Sequence, residues 1–169
     1  ILRVCLRFME TFNILFLCTG NSARSILGEV IATQASNGRF IGYSAGSNPV
    51  GTVNPHAMTI AEQYGYDLTK LRSKSWQEFS QEGAPVMDFV ITLCDDAAGE
   101  VCPIWPGQPV SAHWSFPDPA KVEGSEEEIR WAFMKVEIEL KKRIEILANL
   151  PLESLDEVSL THHLKKISH

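Results

Sequence analysis

The chain has 169 residues, enough for one domain with a substantial hydrophobic core. Hydrophobic residues make up 44% and charged residues 21%, values typical of a globular protein. The formal net charge of -6 argues against nucleic-acid binding, because a phosphate backbone requires a basic surface. No apolar run approaches the ~20 residues that span a bilayer, so no membrane partner is predicted.

The N-terminal residues lack both the apolar stretch and the cleavage site of a secretory signal, so a cytoplasmic protein is predicted. Met9 lies just before the first predicted strand and is a candidate translation start. Residues 1–8 would then be an upstream extension that need not be native. We expect residues 1–11 to lie outside the fold and residues 12–169 to form a single domain.

The first predicted elements surround a loop of small residues. Residues 12–17 are a nearly continuous apolar run, which indicates a strand buried on both faces. The loop 18–24 follows, and apolar residues at helical spacing then predict a helix over 25–36, ended by Asn37-Gly38. The remaining predicted elements are strands over 40–44, 88–93 and 109–114, and helices over 55–64, 75–79, 125–150 and 152–167.

Strands and helices alternate along the chain, which predicts an α/β fold. We expect a doubly wound, four-stranded parallel sheet with helices on both faces. Ligands bind such sheets at the carboxyl ends of the strands. Cys18 and Cys94 each follow directly after a predicted strand. Both cysteines are therefore expected at the functional edge of the sheet.

The segment Cys18-Thr-Gly-Asn-Ser-Ala-Arg-Ser25 joins the first strand to the first helix. Six successive backbone N–H groups in such a loop can surround one tetrahedral oxyanion at the helix N-terminus. Arg24 can add a bidentate contact to two oxygens. The residues predicted to bind the oxyanion are Thr19, Gly20, Asn21, Ser22, Ala23 and Arg24.

Cys18 stands at the centre of this loop and is the candidate nucleophile. The helix N-terminus and Arg24 favour a negative thiolate, and Ser25 can donate a hydrogen bond to it. Gly20 and Asn21 tolerate the positive φ that a tight loop needs. A buried structural cysteine is the alternative, and a C-x5-R match alone arises by chance. The strand before and the helix after favour the catalytic interpretation.

These residues resemble the phosphate loop of the low-molecular-weight tyrosine phosphatase superfamily, and the resemblance extends over about residues 12–150 by element order. It implies that superfamily's fold, with the phosphate loop after the first strand. Asp118-Pro119 matches the superfamily's general acid, which protonates the leaving oxygen as the thiolate attacks. An ordinary Asp-Pro turn is the alternative for Asp118.

Three features separate the chain from members that hydrolyse phosphotyrosine. The residues after Asp118-Pro119 are Ala120-Lys121 rather than an aromatic residue, and the position before Arg24 is Ala23 rather than a second cysteine. The segment from Cys94 to Cys102 resembles the redox segment of thioredoxin-coupled arsenate reductases. The resemblance implies reduction of arsenate to arsenite for arsenic detoxification.

The resemblance also implies a relay of three cysteines. Cys18 attacks arsenate, and Asp118 helps to expel water. Cys94 then attacks the sulfur of Cys18 and releases arsenite, after which Cys102 attacks Cys94 and carries the disulfide outward. Two cysteines eight positions apart in an intact helix would be ~12 Å apart, so we expect this segment to unwind or loop before the last bond forms.

The chain departs from that pattern in two places. Seven residues separate Cys94 from Cys102, where the relatives have six. Relatives often carry Thr-Ser-Asp at a monovalent cation site, whereas the comparable stretch here is Ser73-Lys74-Ser75. Asn21, Glu29 and Ser44 resemble other parts of that site, but without the Asp no potassium site is assigned. The cysteine spacing does not suit zinc.

The predicted substrate is arsenate, with phosphate or sulfate as analogues, and the predicted partner is an external thiol reductant. Thioredoxin is preferred over glutathione with glutaredoxin, no bound cofactor is expected, and a monomer is expected. Two alternatives stay open. The first is a low-molecular-weight tyrosine phosphatase that uses only Cys18, Arg24 and Asp118. The second is a non-catalytic module that binds an oxyanion.

Overall fold

The computed structural model describes residues 10–100 and 103–168 of the chain. Within these residues, four parallel strands form one sheet in the order β2-β1-β3-β4. This confirms the predicted four-stranded parallel sheet. Most of the predicted N-terminal extension lies outside the described residues, so that domain boundary stays a prediction. The strands are β1 (Phe12–Cys18), β2 (Phe40–Gly46), β3 (Phe89–Thr92) and β4 (Val110–His113).

In the part of the chain that the structure describes, five α-helices connect and cover the strands: α1 (Arg24–Gln34), α2 (Pro55–Gln63), α3 (Asp95–Gly99), α4 (Glu126–Ala148) and α5 (Glu157–Ile167). The helix predicted over 75–79 is a short 3-10 helix, and the one predicted over 152–167 is divided into a 3-10 turn and α5. Helix α3 was not predicted, because five residues are too few to show helical periodicity. Within the described ranges, no helix is long and apolar enough to cross a membrane.

Strand β1 is the centre of the core. Ile14 and Phe16 face the cluster formed with α1, α2, α4 and α5, while Leu15 and Leu17 face a second cluster on the other side of the sheet. Trp76 of the 3-10 helix belongs to this second cluster. The alternation follows from the two-residue period of a strand, and it explains why the sequence of β1 is apolar throughout.

Local interactions mark the ends of the helices, including the predicted end of α1 at Asn37-Gly38. Asn37 and Gly38, which follow α1, have φ values of 54° and 77°, in the left-handed region. Asn54 caps α2 by accepting a hydrogen bond from the backbone N–H of His56, and Ser125 caps α4 through the N–H of Glu128. These local interactions set where each helix begins or ends.

Arg39 connects the start of β2 to the end of α4. Its guanidinium is buried and donates to the carbonyl oxygens of Ala148, at 3.2 Å, and Leu150, also at 3.2 Å. It also pairs with Glu153, and this contact lowers the pKa of the Glu153 carboxyl from 4.5 to about 2. A lowered carboxyl pKa stabilises the fold above about pH 4.5, and this contribution is lost as the pH falls towards 2.

We expect Arg39→Met to lower the free energy of unfolding by about 2–4 kcal/mol, because it leaves buried carbonyl groups without donors. Arg72→Met is the matched control, since Arg72 also pairs with a glutamate but its side chain is 60% exposed. That change should cost less than about 1 kcal/mol. Urea unfolding measures both values. Equal losses would show that Arg39 contributes no more than a surface ion pair.

Candidate active site

Two buried thiols lie at the carboxyl edge of the sheet. Cys18 is the last residue of β1, and Cys94 comes two residues after the end of β3. The strands are held in register there by the bond from the Leu93 N–H to the Leu17 carbonyl oxygen, at 2.8 Å. Both cysteines are free, are less than 5% exposed and pack together with Ala97. The structure therefore places these two predicted site residues side by side.

Backbone hydrogen bonds to its carbonyl oxygens hold the loop after Cys18 in place. Four of them accept hydrogen bonds from the backbone of the segment 47–54: Ser47 to Cys18 (3.3 Å), Asn48 to Thr19 (2.9 Å), Val50 to Gly20 (3.0 Å) and Asn54 to Ser22 (3.0 Å). In a trans peptide, the following N–H points away from the carbonyl. The N–H groups of Thr19, Gly20, Asn21 and Ala23 therefore point away from segment 47–54. Within the described residues, none of the N–H groups of 19–23 has a protein acceptor.

Close packing against β2 fixes the shape of the loop. A Cβ atom on Gly46 would lie 2.5 Å from the carbonyl oxygen of Thr19, so only glycine fits at the end of β2. Asn21 has a φ of 45°, which confirms the positive φ predicted there. Asn21 is thus the residue of this pair that adopts the left-handed conformation, and Gly20 does not. A Cβ on Gly20 would instead come within 3.3 Å of Val50.

A chain of hydrogen bonds leads to the sulfur of Cys18. The N–H of Lys74 can only donate, and it donates to Oδ1 of Asn21 at 2.9 Å. The Asn21 Nδ2 group then donates to the Ser25 hydroxyl oxygen at 2.8 Å. The Ser25 proton is left to point at Cys18 Sγ, 2.9 Å away. This order of donors gives Ser25 the predicted geometry for stabilising a thiolate.

Arg24 connects the loop to the segment that carries Asp118. One guanidinium nitrogen donates to the Phe116 carbonyl oxygen at 3.0 Å, and the other lies 3.5 Å from Oδ2 of Asp118. Oδ1 of Asp118 accepts the N–H of Ala120 at 3.0 Å. Asp118 thus makes the turn contact of an Asp-Pro cap with one oxygen and lies beside the Arg24 guanidinium with the other.

Cys94 is the N-cap of α3. Its sulfur accepts the N–H of Ala97 at 3.4 Å and lies 3.3 Å from the hydroxyl of Thr19. Helix α3 ends at Gly99, where the chain becomes extended. The segment after Cys94 is therefore not one continuous helix. Cys102 lies outside the described residues, as does Cys5, so the role of Cys102 stays a prediction.

Two residues near the site were missed by the sequence interpretation. His113, at the end of β4, lies 2.8 Å from Thr92 through Nδ1 and 2.8 Å from Asp95 through Nε2. Hydrogen bonds from His113 and Ser115 lower the pKa of the Asp95 carboxyl. Lys74 is the second such residue. No local motif identifies either side chain, because each meets its partners only after the sheet has formed.

Metal-ligating residues are not grouped in the part of the chain that the structure describes. No three His, Cys, Asp or Glu side chains of residues 10–100 and 103–168 are arranged to hold a metal ion. The site instead consists of a thiol, hydrogen-bond donors and one guanidinium. Such a set is chemically able to bind an oxyanion beside a sulfur nucleophile.

This fold and loop define a class of protein. The profile of the low molecular weight phosphotyrosine protein phosphatase family matches residues 13–158, which is most of the chain. The chain therefore belongs to the low molecular weight phosphotyrosine protein phosphatase family. The match includes the strand, the loop and the helix that surround Cys18.

Several similar proteins of this family are arsenate reductases. The chain is 41% identical over 136 residues to the arsenate reductase of Halalkalibacterium halodurans, covering 80% of this chain and 94% of the relative. It is 39% identical over 141 residues to that of Bacillus subtilis, covering 83% and 97%. A solved arsenate reductase in its phosphate-binding state superposes with a TM-score of 0.59 at 26% identity, covering 79% of this chain and 97% of that structure.

We expect Ser25→Ala to slow alkylation of Cys18 by iodoacetamide about 10-fold, because a hydrogen bond to a charged group stabilises by roughly 1.5–3 kcal/mol. Ser36→Ala is the matched control. Ser36 is equally buried, but its hydroxyl contacts Ala32 and Phe40 rather than the sulfur. Mass spectrometry of the alkylated peptide gives both rates. An equal slowing in the two variants would exclude a specific role for Ser25.

Proposed function

We propose that this protein reduces arsenate to arsenite, with Cys18 as the nucleophile. The observation that carries this proposal is the second buried thiol, Cys94, packed beside Cys18 at the edge of an oxyanion loop. Hydrolysis of a phosphate ester needs only one of these thiols. The arsenate reductases among the relatives support the same reaction class. The detoxification of arsenate would take place in the cytoplasm, where thiols are kept reduced.

The first step is formation of a thiol–arsenate adduct. Arsenate binds in the loop with its oxygens on the N–H groups of residues 19–23 and on Arg24. The thiolate of Cys18 attacks arsenic, and an oxygen of arsenate leaves as water. Asp118 donates the proton that this leaving oxygen needs. The Ser25 hydroxyl, 2.9 Å from the sulfur, holds the thiolate before the attack.

The second step transfers two electrons. The thiolate of Cys94 attacks the sulfur of Cys18, and the sulfur–arsenic bond breaks with its electron pair on arsenic. Arsenite leaves, and a Cys18–Cys94 disulfide remains. Cys102 then attacks the sulfur of Cys94 and regenerates the Cys18 thiolate. The enzyme is left with a Cys94–Cys102 disulfide. An external dithiol reduces this bond by thiol–disulfide exchange.

Thioredoxin is the reductant that we propose for the last exchange, with glutathione and glutaredoxin as the alternative. Helix α3 ends at Gly99, and Ile104, which follows Cys102 by two positions, is 92% exposed. What supports thioredoxin is the resemblance of the segment from Cys94 to Cys102 to the redox segment of thioredoxin-coupled arsenate reductases. The protein itself is proposed to act as a monomer.

A phosphatase is the second candidate, because ester hydrolysis needs only Cys18 as nucleophile, Arg24 to bind the phosphate and Asp118 as acid. The residue after Asp118-Pro119 is Ala120, which offers no aromatic ring for a phosphotyrosine side chain. We expect slow hydrolysis of a small aryl phosphate as a side activity, since the loop and the acid are shared by both reactions.

We expect arsenate alone to oxidise the reduced protein to a Cys94–Cys102 disulfide, and the Cys102→Ser variant to accumulate Cys18–Cys94. Peptide mapping by mass spectrometry identifies each bond. Cys5→Ser is the control, since Cys5 has no role in the relay and its loss should leave the products unchanged. If all thiols stay free after arsenate treatment while an aryl phosphate is fully hydrolysed, the reductase proposal is wrong and the protein is a phosphatase.

We expect Asp118→Asn to slow formation of the first disulfide about 100-fold, the lower range for loss of a general acid. Asp67→Asn is the matched control, because Asp67 caps a 3-10 helix through the same contact, from Oδ1 to the N–H two residues on. Stopped-flow measurement of arsenite release compares the two variants. Equal rates in Asp118→Asn and the wild type would show that Asp118 is not the general acid.

A further inference from the structure

Lys74 is a buried lysine that the proposed reaction does not use. Its side chain is 7% exposed, and its partner Glu29, on α1, is 6% exposed. The ammonium lies 3.6 Å from Oε1 of Glu29 and 3.4 Å from the hydroxyl of Ser44, and it donates to the Arg72 carbonyl oxygen at 3.1 Å. These contacts place one positive charge between α1 and β2, beneath the loop that binds the oxyanion.

The carboxylate of Glu29 is fully enclosed by donors. Oε1 accepts the Ser44 hydroxyl at 2.7 Å, and Oε2 accepts the Tyr66 hydroxyl, also at 2.7 Å. Burial raises the pKa of Tyr66, and the charge of Glu29 raises it further, so the tyrosine remains a donor. Burial lowers the pKa of Lys74, while Glu29 acts in the opposite direction. Other charges that face the ammonium come from Arg72 and Glu78.

The backbone of Lys74 belongs to the chain of hydrogen bonds that ends at the nucleophile. Its carbonyl oxygen accepts the N–H of Gly46 at 2.9 Å, and its own N–H donates to Asn21 at 2.9 Å. Asn21, in turn, sets the direction of the Ser25 hydroxyl towards Cys18. The side chain and the backbone of one residue therefore connect Glu29 to the sulfur.

We propose that Lys74 is a positioning residue: its ammonium, held by Glu29, fixes the backbone N–H that orients Asn21, and through Asn21 and Ser25 it sets the reactivity of Cys18. The inference rests on the proposed function in one respect, which is that Cys18 is the nucleophile. A purely structural ion pair would stabilise the fold without affecting the sulfur, as Arg39 and Glu153 do at the far end of β2.

The test measures alkylation of Cys18 by iodoacetamide at fixed pH, with the modified peptide quantified by mass spectrometry. We expect Lys74→Ala to slow the reaction between about 3-fold and 30-fold, the range for a group that acts through a network. Lys70→Ala is the control, since Lys70 is exposed and lines the same open cavity of about 650 Å³ as Lys74 and Glu29. That variant should react at the wild-type rate.

Chemical rescue separates positioning from general destabilisation. The cavity gives a small cation access to Glu29, so methylammonium should restore the rate in Lys74→Ala, whereas the larger tetramethylammonium should not. The Lys74→Ala/Glu29→Gln variant removes the uncompensated carboxylate and should fold, but it should stay slow and unresponsive to methylammonium. This double variant allows the proposal to be tested even if Lys74→Ala alone does not fold.

A wild-type alkylation rate in the folded double variant would overturn the proposal, as would a wild-type rate in folded Lys74→Ala. Near-ultraviolet circular dichroism establishes that each variant is folded. Arsenate takes no part in these measurements. A failure of arsenate reduction would therefore leave the role of Lys74 standing, and a failure of the Lys74 test would leave the reductase proposal intact.

Discussion

The site depends on one constraint: the carbonyl groups of the loop after Cys18 point away from the anion site and accept hydrogen bonds from the neighbouring backbone. Segment 47–54 binds the carbonyl oxygens of the loop, and this leaves the N–H groups of residues 19–23 without protein acceptors among the described residues. Unpaired N–H groups beside a helix N-terminus favour a bound anion. The glycine at position 46 and the left-handed backbone of Asn21 both follow from the close approach that this arrangement requires.

The parallel sheet explains why two thiols meet at this loop. In a parallel sheet, the carboxyl ends of all strands lie at the same edge, so residues far apart in sequence are brought together. Cys18 and Cys94 are 76 positions apart, yet both pack against Ala97. The pairing of β1 with β3, rather than any local motif, creates the contact on which a thiol relay would depend.

Two buried cations, Lys74 and Arg39, are each held by an ion pair and by hydrogen bonds to carbonyl oxygens. Lys74 and Glu29 form one pair next to the loop, and Arg39 and Glu153 form another at the opposite end of β2. A buried charge without a partner would be strongly unfavourable, and each pair therefore couples the elements that supply its members. The first pair joins α1 to the segment after residue 71, which contacts Asn21. The second pair joins β2 to the end of α4.

The sequence by itself determined the order of elements, the parallel sheet and the loop around Cys18, because these depend on local patterns. Apolar runs define strands, Asn54-Pro55 and Asn37-Gly38 mark helix ends, and C-x5-R between a strand and a helix marks an anion loop. The short helix α3, which has too few residues to show helical periodicity, shows where local patterns are weakest.

Only the tertiary structure decided the positions of His113, Phe116 and Lys74. His113 contacts Asp95 from a neighbouring strand, and Phe116 offers its carbonyl oxygen to Arg24 from 92 positions away. Lys74 reads in sequence as one more solvated lysine. It is buried because β2, α1 and segment 71–75 close around Glu29 when the sheet assembles, and a contact between residues 45 positions apart leaves no periodic trace in the sequence.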